Sequence, residues 1–338
     1  MKKTWNFLRF ELKKNLWAFV VLAAVCTIPY IAQLSTMTMS YTYEEWETGE
    51  QIVRIASSQI GTVFVMLGVL CYIIPILVYS FKMSKRGVDG YYSLPLKKGK
   101  LYLAKTVLGL LLVLVPYTVA FWGGFLTLLC REGNPYAMGW YVPAYFGGVF
   151  FGICLFGINA FLFTRANKAG DGVVFMIAYI PFFWMLYAYF IQVFDLPYSY
   201  GNYEMDLFTF GGLIDFGNTI SYRIMQYANR NFSPLTFVVM PSLGAIGYFL
   251  LFFNLRFEKS ENAEQVSESW FGYKMLIPVY TAFLLALNSG DLLSFCMFAV
   301  AAIVATIVYR GKFKFDLKWW GMIGGALALG LFLGLMIG

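Results

Sequence analysis

The chain has 338 residues, of which 60% are hydrophobic and only 13% charged, with a mean hydropathy of +0.67. Soluble domains carry about 25% charged residues, so the composition excludes an ordinary soluble globular protein. The formal charge is +7 and there is no histidine, which removes the commonest general base and metal ligand.

Residues 1–14, MKKTWNFLRFELKK, form an amphipathic pattern. Trp5, Leu8 and Leu12 recur at helical spacing, and Lys2, Asn6, Arg9 and Lys13 make a second, polar stripe. An interfacial helix is expected, with Trp at headgroup level and the cations against anionic lipid. Nine apolar runs follow, at 15–36, 59–81, 102–129, 141–164, 172–194, 236–256, 273–289, 291–309 and 319–337. Each is taken as one span, at about 20 apolar residues per crossing. The seventh is short and ends at the turn Asn288-Ser289-Gly290-Asp291, where the eighth begins. The runs are continuously apolar and do not alternate, which excludes a β-barrel. The first run is too long for a cleavable signal and lacks a small-residue cleavage site, so it reads as an anchored helix.

Orientation follows from the cations. With the N-terminus inside, the inner segments carry 21 Lys and Arg with 8 acids, and the outer segments carry 4 with 10. The basic balance is therefore largely topology, and nucleic-acid binding is not expected. Moving the seventh run out of the membrane would put Arg310, Lys312, Lys314 and Lys318 outside, against the rule.

Little chemistry sits inside the runs. No phosphate-binding Gly-x-x-x-x-Gly-Lys-Ser/Thr loop is present, and Gly99-Lys100 lacks its flanking residues. The five cysteines fall in or beside apolar segments without paired spacing, so neither a disulfide nor a metal site is expected. Lys105 and Asp171 lie near inner ends, and no ionisable group is placed at mid-membrane depth. Asn159 and Gln192 read as helix-to-helix hydrogen bonds. Gly148 and Gly152, Gly321 and Gly325, and Gly330, Gly334 and Gly338 suit close helix packing. Pro29, Pro75, Pro116, Pro181, Pro241 and Pro278 interrupt spans without marking a site.

Three loops stand out. Glu44, Glu45, Glu47 and Glu50 make an acidic outer loop that reads as a solvated face. Segment 195–235 contains LFTFGGLIDFGN at 207–218, too apolar for a free loop and too short to span, and reads as a re-entrant or interfacial turn. On the inner side, 257–274 carries four glutamates, with Trp270 and Phe271 returning to the interface.

The inner loop 82–102 is the most distinctive. It combines Lys85-Arg86-Gly87 and Asp89, the pair Tyr91-Tyr92, Ser93-Leu94-Pro95, and then Lys97, Lys98 and Lys100. This order resembles the loop between the second and third spans of permease subunits of bacterial type-2 ATP-binding-cassette transporters, of the peptide and antimicrobial-export branch. The interfacial first helix, the six-span core and the outer re-entrant region before the sixth span also resemble that family, over roughly 1–256. The last three runs go beyond the six-helix core.

The apolar runs lead to the expectation of an all-α polytopic membrane protein with about nine transmembrane helices, of which the resemblance implies a six-helix exporter-like core. The chain would comprise an interfacial helix at 1–14, a permease core at 15–256, an acidic cytoplasmic loop at 257–274 and three added helices at 275–338. The resemblance implies that the 82–102 loop docks on a separate ATPase. Tyr91, Tyr92, Leu94 and Leu96 would fill an apolar notch, as aromatic anchors do, with Pro95 among the coupling residues. Lys85, Arg86 and Asp89 would pair at its rim, and ATP-driven closure would push on the second and third spans. Glu261, Glu264 and Glu268 are candidates for a second contact with that partner. Phe182, Phe183 and Tyr187, on the aromatic fifth span, are candidates to line a substrate cavity. ATP and Mg²⁺ belong to the partner, with no cofactor, metal or catalytic residue expected on this chain. The expected partners are two ATPase copies, a second permease copy or paralogue, and membrane lipid, in a bacterial plasma membrane.

The expected activity is ATP-driven export of an amphipathic or hydrophobic substrate, a toxin or antimicrobial peptide or a lipid-like molecule. The alternative is a sensory or scaffold subunit of a peptide-resistance complex that signals without transport. A membrane-embedded enzyme lacks the convergent groups it would need.

Overall fold

The computed structural model describes residues 2–36, 39–43, 51–55, 58–130, 138–193, 210–224, 234–257, 260–267, 269–287, 292–310 and 317–335. Twelve α-helices are described: α1 (Lys2–Lys14), α2 (Leu16–Ser35), α3 (Ser58–Tyr79), α4 (Lys85–Tyr92), α5 (Lys98–Leu129), α6 (Tyr141–Thr164), α7 (Ala169–Val193), α8 (Phe210–Ile224), α9 (Pro234–Phe253), α10 (Tyr273–Leu287), α11 (Leu292–Arg310) and α12 (Leu317–Leu335).

Among the described residues, eight helices are long and apolar enough to cross a membrane. The protein is a multi-pass helical membrane protein. Lipid offers backbone groups no partners, so each crossing segment must bond within itself, and the helix does this locally. Side-chain placement agrees with lipid surroundings. Leu293, Met297, Val300, Val304 and Val308 form one exposed apolar stripe along α11, a liability in water that a bilayer covers. The seventh expected span is the exception. Helix α10 has 15 residues and rises about 22 Å, against a hydrocarbon core of about 30 Å. All six prolines named above lie inside helices.

One element departs from the all-helical expectation. Strands β1 (Met39–Tyr43) and β2 (Gln51–Ile55) pair antiparallel, with Tyr41 opposite Val53. The acidic cluster at 44–50 lies outside the described residues. The expected re-entrant turn at 207–218 is, from Phe210 onward, helix α8, with Leu213, Phe216 and Ile220 buried. The Phe216 ring packs edge-on to Phe64 of α3 at 5.6 Å.

The chain divides into two compact units. The first comprises Met1–Tyr79, Tyr92–Ala160 and Asp206–Phe257. Its core is aromatic, with Phe64, Tyr117, Phe121 and Phe151 buried. Asn159 Nδ2 donates to the Cys71 carbonyl at 3.2 Å, the helix-to-helix bond expected of it. Gly148 faces the Tyr117 hydroxyl, and Gly152 faces Leu67. All five cysteines are free thiols.

The second unit comprises Ser80–Tyr91, Phe161–Met205 and Glu258–Gly338. Helix α12 lies on α10 where Gly330 meets the Ala282 carbonyl and Leu285. By contrast, Gly321 and Gly325 face open space, so the small-residue spacing there packs against nothing among the described residues. Gly338 is outside them.

Candidate functional site

The sequence KRGVDGYY folds as the short helix α4. Its start is built by capping. Ser84 Oγ accepts the Gly87 N–H at 3.1 Å, and the Ser84 carbonyl accepts the Val88 N–H at 2.9 Å. This is the N-cap arrangement, which satisfies donors that a helix's first turn leaves open. Gly87 is required by close approach: a Cβ there would stand 2.3 Å from the Phe81 carbonyl oxygen. Gly90 has open space around it. Val88 is buried, which fixes the inner face of the helix.

The rim residues expected from the sequence are available. Lys85, Arg86, Asp89 and Pro95 are exposed, and Tyr91, Tyr92 and Leu94 are half-buried. The two tyrosines are held differently. The Tyr91 ring lies 4.6 Å from Phe81, and the Lys98 ammonium sits 4.7 Å above the Tyr92 ring. Both rings therefore have intramolecular contacts as well as an outward surface.

The first turn of α4 carries Lys85 and Arg86 and no acid. Cations there oppose the positive end of the helix dipole. The missing carboxylate comes from Glu264, whose Oε1 accepts the Lys85 N–H at 3.1 Å. Glu264 and α4 were expected as two separate contacts with a partner, and the fold joins them. The segment Ser80–Tyr91 groups with α7 and α10–α12. The sequence alone tied it to the second and third spans.

Glu264 belongs to a polar knot. Its N–H donates to the Asn167 carbonyl at 3.1 Å. Asn167 in turn donates its N–H to Ser267 Oγ at 2.9 Å and its Nδ2 to the Val266 carbonyl at 3.2 Å. Ser267 Oγ donates to Asp171 Oδ2 at 2.6 Å, and the Tyr273 hydroxyl donates to Asp171 Oδ1 at 3.2 Å. The Tyr309 hydroxyl donates to the Ser267 carbonyl at 3.0 Å. Lys82 Nζ, just before α4, bonds the Thr164 carbonyl. A polar cleft of about 610 Å³ opens here, lined by Asn167, Lys168, Asn262, Glu264, Gln265 and Val266. Glu261 is exposed beside it, and Glu268 lies outside the described residues. Trp270 is exposed, and the Phe271 ring packs on Phe161 at 5.2 Å.

The expected cavity residues sit on α7. Phe182 is buried, with its ring 5.4 Å from Tyr179 and 6.5 Å from Phe283. Phe183 is half-buried against Phe182 at 5.3 Å. The Tyr187 side chain lies outside the described residues. The nearby open space lies one to two turns earlier along α7, and neither Phe182 nor Phe183 lines it. It is an apolar cavity of about 300 Å³ lined by Val174, Ala178, Ile277, Tyr280, Phe298 and Ala302, among others.

Sequence reasoning missed one feature in the first unit. Lys105 Nζ meets Glu11 Oε2 at 3.0 Å, with both side chains buried. Beside it, the Tyr79 hydroxyl and Thr106 Oγ1 share a hydrogen bond of 2.7 Å. Two signals were available: Glu11 falls three residues after Leu8, off the basic stripe, and Lys105 stands alone within an apolar run.

No family model, curated protein or solved structure matches this chain.

Proposed function

We propose that the chain is the transmembrane subunit of an ATP-driven exporter, with ATP hydrolysed on a separate subunit. The observation that carries this reading is α4. It is a capped helix of eight residues between two spans, presenting Lys85, Arg86 and Asp89 to solvent, and Tyr92 and Leu94, which follow in the chain, are partly exposed. A solvated connector does not need a built cap, a glycine at a close approach and a distant carboxylate. A docking helix does, because binding is stronger when the anchor is pre-organised.

The charge distribution supports the same reading. The cation-rich segments, including 82–105, are the cytoplasmic ones by the positive-inside rule. On this reading α4 lies on the side where ATP is found, with the N-terminus inside, in a bacterial plasma membrane. Two ATPases and a second permease, identical or paralogous, complete the proposed assembly, with ATP and Mg²⁺ on the ATPases. Apolar walls such as those around Ile277, Phe298 and Ala302 suit an amphipathic peptide or lipid-like substrate better than a sugar or ion.

The test is purification from the native host in mild detergent, with mass spectrometry of what accompanies the chain. A Tyr92→Ala, Leu94→Ala variant is run beside it. The reading expects an ATPase subunit with the wild type, lost from the folded variant. A wild-type preparation without an ATPase refutes it.

A further inference from the structure

We propose that Glu264 is a positioning residue for α4, which it holds to the platform carrying the three C-terminal helices. A displacement of α4 is then delivered to α7 and α10–α12. The inference rests on the reading of α4 as the docking helix, and it gives the helices beyond the six-span core a part in coupling.

The first ground is the backbone of Glu264. Its φ is 67°, and it is the one non-glycine residue at positive φ among the described residues. Glycine adopts that conformation freely, whereas a side chain makes it costly. Strain of this kind persists where the surroundings over-determine it, and it points to a use for the side chain. The use is visible: the carboxylate accepts the Lys85 N–H at 3.1 Å. It thereby brings a negative charge to a helix start that has two cations and no acid of its own. Glycine at 264 would relieve the backbone and lose the cap.

The second ground is where the backbone of Glu264 leads. Its N–H is bonded to Asn167, Asn167 to Ser267, and Ser267 to Asp171 at the start of α7. Tyr273 of α10 joins at Asp171, and Tyr309 of α11 joins at Ser267. The bonds are contiguous from α4 to α7, α10 and α11, and every member lies within one compact unit. Energetic coupling is carried by such connected hydrogen-bond networks. The bond from Lys82 to the Thr164 carbonyl holds the other end of the same turn.

The test has two arms. Hydrogen exchange on the purified chain reads the cap without any partner. Glu264→Gly keeps the favoured backbone, so the fold is retained, and the Lys85 amide is expected to exchange about tenfold faster once its acceptor is gone. Glu264→Gln keeps an acceptor oxygen but loses the charge, and is expected to fall between wild type and Glu264→Gly. Equal protection of Lys85 in wild type and Glu264→Gly overturns the proposal.

The second arm uses the chain with its co-purified ATPase, carrying spin labels at Gly90→Cys and Leu317→Cys after the exposed Cys130 and Cys296 are replaced by serine. In the Glu264-intact complex, trapping ATP with vanadate leaves the distance between the labels unchanged, because α4 and the platform move together. In Glu264→Gly, trapping shifts or broadens it. Identical behaviour of the two overturns the relay. Absence of any ATPase from the wild-type preparation refutes the docking reading instead, and the exchange arm still decides the role of Glu264 at α4.

Discussion

Lys105 of α5 and Glu11 of α1 meet at 3.0 Å with side chains only 6% and 4% exposed. Helix α1 is thus fastened to α5 near its start. Two charges out of water are tolerable only as a pair, and removing one leaves the other buried without its counter-ion. Lys105→Met should therefore cost about 3–5 kcal/mol. The double replacement Glu11→Leu, Lys105→Met should recover most of that loss. Thermal unfolding in nanodiscs measures both, and additive losses in the double variant would exclude a coupled pair.

The two glycines of α4 should behave oppositely. A Cβ at Gly87 would stand 2.3 Å from a backbone oxygen, whereas one at Gly90 meets nothing within 4 Å. Gly87→Ala should raise amide exchange across 85–92. Gly90→Ala should slow it about two- to fivefold, since alanine gains about 0.5–1 kcal/mol over glycine inside a helix. Similar effects from both would mean that α4 does not pack as described.

The proposed docking of α4 on an ATPase predicts salt-dependent association. Arg86 and Asp89 are exposed, so reversing either leaves the fold intact. Arg86→Glu should lower ATPase recovery several-fold at low ionic strength, chiefly through slower association, with the difference shrinking in high salt. Recovery measured across a salt series checks this.

Helix α12 should depend on Gly330 and tolerate a side chain at Gly324. A Cβ at Gly330 meets the Ala282 carbonyl at 2.8 Å, and Gly324 faces open space. Gly330→Leu should destabilise the second unit by about 1–3 kcal/mol, the usual range for overpacking. Gly324→Leu should not lower the unfolding temperature and should raise it slightly, since it meets nothing and removes a glycine from a helix interior.

The sequence by itself determined the membrane class and almost every span. The reason is local: a segment in lipid must satisfy its backbone within its own helix, so composition over about 20 residues suffices. The same logic anticipated a helix at 1–14, seen as α1, and charges at 85–89 that the structure leaves exposed. Only the tertiary structure decided which of these meet. Glu11 is the lone acid in a basic flank until α5 brings Lys105 to it. Glu264 is one of three candidate partner contacts until the fold sets it against Lys85, 179 residues away. The grouping of α4 with the C-terminal helices is likewise non-local. Long-range contacts follow from which surfaces pack together, and residue type and spacing along one segment do not specify that.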